Sequence, residues 1–172
     1  MPGKARVNVW SEDREHESFA REILTLHGVE KRRIHFNTAP SGGGSAALWV
    51  TRQFQAEVLP SHRATAHQAN LGYLVMVDGD NLGMVGRLRF LGEIPTERLA
   101  ILVPTWSIET WVLHLIGEAV TEDQPLKERL PRSEFPEALK RAMLSWPNPR
   151  PEEAVVVPSL ARAREELKNL PL

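Results

Sequence analysis

The sequence predicts an α/β fold: an open, mainly parallel four-stranded sheet flanked by helices, with a C-terminal helical appendage. Three observations carry this prediction. Short apolar runs alternate with amphipathic helical segments through residues 1–118. Two of these runs, 74–77 and 99–103, are apolar at every position, as is typical of strands buried on both faces. Residues 119–172 carry helical patterns separated by prolines, which predicts an appendage packed on the core.

A strand over 7–10 and a helix over 14–26 form the first unit. The apolar residues of this helix recur with the three-to-four-residue spacing of one helical face, at His16, Phe19, Ala20, Ile23, Leu24 and His27. Residues 33–37 alternate polar and apolar side chains, which predicts an edge strand with one solvated face. A glycine- and serine-rich loop over 40–45 precedes a second helix over 46–59, and 60–70 is expected to be irregular.

The two fully apolar runs are expected inside the sheet. Each ends abruptly, the first at Asp78-Gly79-Asp80 and the second at Pro104, and each is followed by a helical pattern. In the appendage, helices are expected over 133–144 and 159–170, each opened by a capping serine, and 155–157 is expected to add an edge strand.

Composition excludes several classes of function. The chain is 42% hydrophobic and 25% charged, and its net charge is −1. Any electrostatic binding of nucleic acid must therefore depend on a local patch of charge. There is no cysteine, which excludes thiol catalysis, cysteine-ligated zinc and disulfides. The apolar runs are too short to cross a bilayer and no secretory segment is recognisable, so we expect a soluble cytoplasmic protein without membrane contact. The sequence leaves a homo-oligomer open.

Acidic residues follow the predicted strands at their carboxyl ends, at Glu12, Asp78, Asp80 and Glu109. In an open parallel sheet these ends lie along one edge, where ligands bind. Carboxylates brought together repel one another unless a cation lies between them, and oxygen ligands favour Mg²⁺ or Mn²⁺. Such an ion suits phosphodiester chemistry. The other interpretation is a turn at Asp78-Gly79-Asp80 and helix-dipole complements at Glu12 and Glu109.

Further residues could assist at this edge. His16 lies one turn beyond Glu12, where it could transfer a proton or support the ligands, although a lone histidine is more often structural. Arg87 and Arg89 follow Asp80 and could contact substrate phosphates. Backbone amides of the loop containing Ser41 and Gly43 could do the same, but the loop lacks the lysine of an ATP-binding P-loop.

Three of these motifs together resemble a TOPRIM domain of the small bacterial branch related to OLD-type nucleases. They are Glu12 after the first strand, Asp78-Gly79-Asp80 after the third, and Ile108-Glu109-Thr110-Trp111 at a helix start. The resemblance covers about residues 5–117. It implies metal-dependent cleavage of nucleic acid, often with an ATPase partner in phage defence, which here would be a separate chain. The family usually has glycine after its first glutamate, whereas this chain has Asp13, which could supply an extra ligand or change how the loop admits substrate.

The sequence therefore predicts a metal-dependent nuclease whose ion is held by Glu12, Asp78, Asp80 and Glu109. The alternative is a non-catalytic TOPRIM-like module that binds a partner or nucleic acid. A haloacid-dehalogenase-type phosphotransferase would need threonine or valine where Leu82 stands, and the chain looks too short for a DxD glycosyltransferase. DNA or RNA as substrate, an internal or terminal cut, and one or two metal ions all stay open.

Overall fold

Four parallel strands form the centre of the computed structural model, which describes residues 4–172. The first three residues of the predicted core, 1–118, lie outside the described residues. The strands are β1 (Arg6–Ser11), β2 (Ile34–Thr38), β3 (Leu71–Met76) and β4 (Leu99–Leu102). Their spatial order is β2-β1-β3-β4, and every pairing is parallel. The predicted α/β class is confirmed, and the strand order reverses between β1 and β3.

Helices cover both faces of this sheet. Helices α1 to α8 are Arg14–Leu26, Ala46–Gln53, Leu59–Ala64, Gly83–Leu91, Ile108–Leu115, Phe135–Ser145, Glu153–Val156 and Pro158–Leu167. Within residues 4–172, no helix combines the length and apolarity that crossing a membrane requires.

The alternation of side chains along the strands produces two hydrophobic cores. In β3, Leu74 and Met76 face the core shared with α1, α5 and the C-terminal helices, whereas Tyr73 and Val75 face the core shared with α2 and α4. Both sets are buried, which explains why the sequence of this strand is apolar at every position. Residues of α6 and α8 belong to the same core as β1 and α1, so the sheet and the C-terminal segment share one hydrophobic interior.

The second helical segment is longer than predicted. It continues through a π-helical turn at Phe54–Val58 into α3, which ends at Ala64, where the sequence predicts irregular structure. Pro60 stands two residues after the last residue of the π turn. In a regular helix the ring of Pro60 would clash with the carbonyl of Ala56, and we attribute the wider turn to this conflict.

Strand β4 lies at the edge of the sheet, so its predicted position inside the sheet is wrong. The edge is nevertheless covered, because α8 packs along it. Glu166 Oε2 accepts the Ile101 N–H at 3.0 Å, and an Arg162 Nη donates to the Ile101 carbonyl at 3.1 Å. These two side chains replace a neighbouring strand, which is why an edge strand can be fully apolar.

Replacing Glu166 by alanine is expected to lower the free energy of unfolding by about 1–3 kcal/mol, because it leaves the buried Ile101 N–H without its acceptor. Urea denaturation measures this change. Glu165→Ala on the same helix is the control, since the Glu165 side chain is 70% exposed and, within residues 4–172, pairs only with Lys168. We expect the control to change stability by less than about 0.5 kcal/mol. Equal effects of the two substitutions would contradict the proposed role of Glu166.

Three predictions for the C-terminal segment are wrong. Residues 155–157 do not form an edge strand; α7 ends at Val156, and the edge of β4 is already occupied by α8. Neither Ser133 nor Ser159 caps its helix. Instead Ser159 lies inside α8, where its buried hydroxyl donates to Glu122 and accepts the Trp111 indole N–H. The need to satisfy the indole of Trp111 explains a serine at this position.

Candidate metal centre

The candidate site lies where β1 and β3 end side by side. Glu12 directly follows β1, and Asp78 comes two residues after β3. Glu12 Oε2 accepts the backbone N–H of Asp78 at 2.5 Å. Because the strand order reverses between these two strands, their carboxyl ends border the crevice in which open α/β sheets bind ligands. The structure thus brings Glu12 and Asp78 together.

His16 joins this pair from the first turn of α1. Asp13 is the N-cap of that helix, and its side chain accepts the His16 N–H at 2.9 Å. Asp13 therefore supplies a helix cap. The imidazole of His16 is fully buried, and its Nε2 lies 2.8 Å from Asp78 Oδ1. The local sequence thus starts the helix early enough to place a histidine between two carboxylates.

Glu12, His16 and Asp78 form a buried group that could hold a metal ion. Each offers one ligand atom, and these atoms lie within 4.8 Å of one another. Ligands of one ion lie roughly 2.0–2.4 Å from it, so they are separated by less than about 5 Å. The spacing of the three side chains is therefore compatible with one shared ion.

Burial and neighbouring charges shift the pKa of Glu12 and that of His16. Burial raises the carboxyl pKa of Glu12 to about 7, and the charges of Asp78 and Asp80 act in the same direction. Burial alone lowers the pKa of His16, but the charge and hydrogen bond of Asp78, with the charges of Asp13 and Glu12, raise it to about 10. The protonated imidazole stabilises the metal-free fold below its ordinary pKa, and this contribution is lost as the pH rises through about 10.

Two buried polar atoms at the site have no hydrogen-bond partner in the described part of the chain, His16 Nδ1 and Glu109 Oε2. Buried polar groups are normally paired, because an unpaired group loses its hydration without compensation. A bound cation would accept a lone pair of Glu109 Oε2, and that of His16 Nδ1 once the ion has displaced the imidazole proton. The unpaired atoms thus fit a metal site independently of the clustering of the carboxylates.

Asp80 and Glu109 lie beside the buried group and are not part of it. Asp80 is exposed and has a left-handed backbone conformation with φ of 47°. Burial first and then the charge of Asp78 raise the pKa of Asp80, and the same two causes raise that of Glu109. Glu109 is buried because every residue of α5 is buried. The spacing of the apolar residues in this helix does not reveal that its other faces are covered as well. Asp80 and Glu109 are therefore both close enough to Asp78 for its charge to raise their pKa.

Gly79 holds the Asp78 loop against the loop between β4 and α5. Its N–H donates to the Pro104 carbonyl at 2.8 Å, and the Asp80 N–H donates to the Trp106 carbonyl at 3.2 Å. The φ of Gly79 is −69°, a value that any residue can adopt, so the backbone conformation does not require glycine here. It is needed because a Cβ would lie 2.3 Å from the Thr105 carbonyl oxygen.

The four residues predicted to contact substrate phosphates lie in different parts of the structure. Arg87 is buried, and its Nε donates to the Asp78 carbonyl at 3.0 Å, so this side chain supports the Asp78 loop. Arg89 is exposed on α4. Ser41 and Gly43 are exposed in the loop that follows β2, at the same edge of the sheet as the centre. None of the four belongs to the buried group, and their contacts with phosphate stay predictions.

Lys127 is a basic residue of this region that the sequence analysis does not identify. It lies in the exposed 3₁₀ turn Lys127–Arg129, which contacts α5. Its positive charge opposes the rise in pKa that burial causes at both Asp80 and Glu109. Only the packing of this turn against α5 reveals the position, because no local motif surrounds the lysine.

Comparisons with models of known protein families, with curated proteins and with solved structures found no match.

Proposed function

We propose that this protein is a divalent-metal-dependent phosphodiesterase that cleaves nucleic acid, built on a TOPRIM-like sheet. The observation that carries the proposal is the buried group of Glu12, His16 and Asp78 at the reversal of strand order. The resemblance of the acidic motifs to those of TOPRIM nucleases supports nucleic acid as the substrate. It also supports a separate ATPase as partner, in phage defence.

The chemistry follows from the residues. A divalent ion at this centre would stabilise charge on a phosphoryl oxygen and make water more acidic. Glu12, His16 and Asp78 would bind the ion, with Asp80 and Glu109 beside it. Lys127 and Arg89 are exposed cations that could attract the phosphates of the substrate, which an acidic group alone would repel. Arg87 would keep the Asp78 loop in place.

A non-catalytic TOPRIM-like module is the second candidate, and one observation favours it. The ion pair between His16 Nε2 and Asp78 Oδ1, 2.8 Å apart, balances charge in the group without any metal. Buried polar clusters of this kind can serve the fold alone. In that case the surface around the centre would bind a partner protein or nucleic acid without cleaving it.

The two candidates are separated by measuring ion binding and cleavage together. Mn²⁺ and Mg²⁺ are titrated calorimetrically into the purified protein, and labelled single-stranded DNA, duplex DNA and RNA are incubated with each ion or with EDTA. We expect ion binding, and cleavage of at least one substrate that EDTA prevents. Ion binding without cleavage would favour the non-catalytic module. Absence of ion binding would contradict the metal centre itself.

A further inference from the structure

We propose that His16 is a direct metal ligand and that its nitrogen makes the centre selective for first-row transition-metal ions over Mg²⁺. This inference rests on the proposed metal-dependent function and specifies the ion of the same site. It differs from the expectation drawn from the sequence, in which four carboxylates bind the metal and His16 only assists.

Both ring nitrogens of His16 face carboxylates. Nε2 lies 2.8 Å from Asp78 Oδ1, and Nδ1 lies 3.8 Å from Glu12 Oε2. The imidazole is fully buried, and Nδ1 has no hydrogen-bond partner among the described residues. An ion that binds between Nδ1 and Glu12 would displace the Nδ1 proton to solvent, and this unpaired buried nitrogen would then be one of its ligands.

The imidazole is held rigidly in this place. Asp13 fixes the backbone N–H of His16 at the start of α1, and the side chain lies on the same buried helix face as Phe19 and Ile23. A side chain anchored in this way cannot turn out into solvent to leave an all-oxygen site. Any ion shared by Glu12 and Asp78 therefore meets this nitrogen.

The donor set decides which ions bind well. Mg²⁺ is a hard cation that prefers oxygen ligands and gives up its water reluctantly. Imidazole suits transition ions, whose affinity for a given site rises from Mn²⁺ towards Cu²⁺. One nitrogen and two carboxylates thus form a mixed site, in which the nitrogen adds little to the affinity for Mg²⁺. We expect the loss of the nitrogen to weaken transition-ion binding much more than Mg²⁺ binding.

The direct test is pulsed electron paramagnetic resonance of the wild-type protein loaded with Mn²⁺. We expect a ¹⁴N coupling from one directly bound imidazole. This signal should disappear in His16→Asn and persist in His35→Asn, which removes an exposed histidine from β2. Bound Mn²⁺ with no ¹⁴N coupling in the wild type would overturn the inference and leave the metal centre standing. Absence of Mn²⁺ binding would overturn both.

Calorimetry tests the selectivity. The ratio of the Mg²⁺ to the Co²⁺ dissociation constant should fall at least about tenfold in His16→Asn and stay unchanged in His35→Asn. The change in the ratio is the decisive quantity, because an all-oxygen site also prefers Co²⁺ to some degree. An unchanged ratio in a folded His16→Asn protein would overturn the selectivity. Should that variant fail to fold by circular dichroism, the wild-type resonance measurement still decides whether His16 binds the ion.

Discussion

Replacing Asp78 by asparagine is expected to abolish metal-dependent cleavage, with a loss of roughly a thousandfold or more. Asp78 is the residue of the buried group that hydrogen-bonds to both of the others, to Glu12 through its backbone N–H and to His16 through its side chain. Asparagine has nearly the same shape, but it removes the negative charge and replaces one of the two acceptor oxygens with an amide NH2. The backbone contacts of position 78 with Glu12 and Arg87 should persist, so the fold should be retained.

The measurement compares initial rates of cleavage and calorimetric Mn²⁺ affinities of the two proteins, with circular dichroism as the check on folding. Asp123→Asn is the matched control, because Asp123 is exposed and its carboxylate bonds only to Thr121 among the described residues. The control should bind Mn²⁺ and cleave as the wild type does. Cleavage by folded Asp78→Asn within tenfold of the wild-type rate would remove Asp78 from the proposed chemistry.

The substitution Gly79→Ala is expected to cost about 1–3 kcal/mol of unfolding free energy and to weaken metal binding as well. An added Cβ would lie 2.3 Å from the Thr105 carbonyl oxygen, 2.6 Å from the Gly83 carbonyl carbon and 2.8 Å from the Pro104 carbonyl oxygen. All three are backbone atoms, so the clash can be relieved only by separating Gly79 both from the loop that contains Pro104 and Thr105 and from the start of α4. That separation would displace Asp78 relative to Glu109.

Urea denaturation and Mn²⁺ calorimetry measure both consequences. Gly43→Ala is the control, because the nearest atoms to its added Cβ belong to Pro40 at 3.5 and 3.6 Å, which is ordinary contact. The control should change stability by less than about 0.5 kcal/mol. If Gly79→Ala unfolded at the same urea concentration as the wild type, the close approach of the two loops would not be essential to the fold.

The strand-end pattern predicts the centre of the site because it depends on backbone direction alone. Parallel strands place their carboxyl ends at one edge, so acidic residues within two positions of the ends of β1 and β3 must lie near each other once the two strands pair. The helix bounds of α1 are likewise predicted correctly, because its apolar face is regular and Gly28 follows it. These features are encoded locally, within one strand or one helix.

Other features depend on contacts between distant segments and have no local pattern. The sequence of β4 does not show that it is an edge strand, because its free backbone edge is hydrogen-bonded by Glu166 and Arg162, more than sixty residues away. The burial of Glu109 likewise reflects the packing of the C-terminal segment on α5, and the same packing brings Lys127 to the site. Hydrophobic periodicity does not predict contacts of this kind, because it depends on the residues of one helix or strand alone.

The central claim is that Glu12, His16 and Asp78 share one metal ion. Anomalous diffraction from a crystal soaked in Mn²⁺, recorded on both sides of the manganese absorption edge, tests it most directly. We expect one anomalous peak within coordination distance, about 2.0–2.4 Å, of ligand atoms from all three side chains. A well-occupied peak held by other residues, or none at an Mn²⁺ concentration that saturates the calorimetric titration, would contradict it.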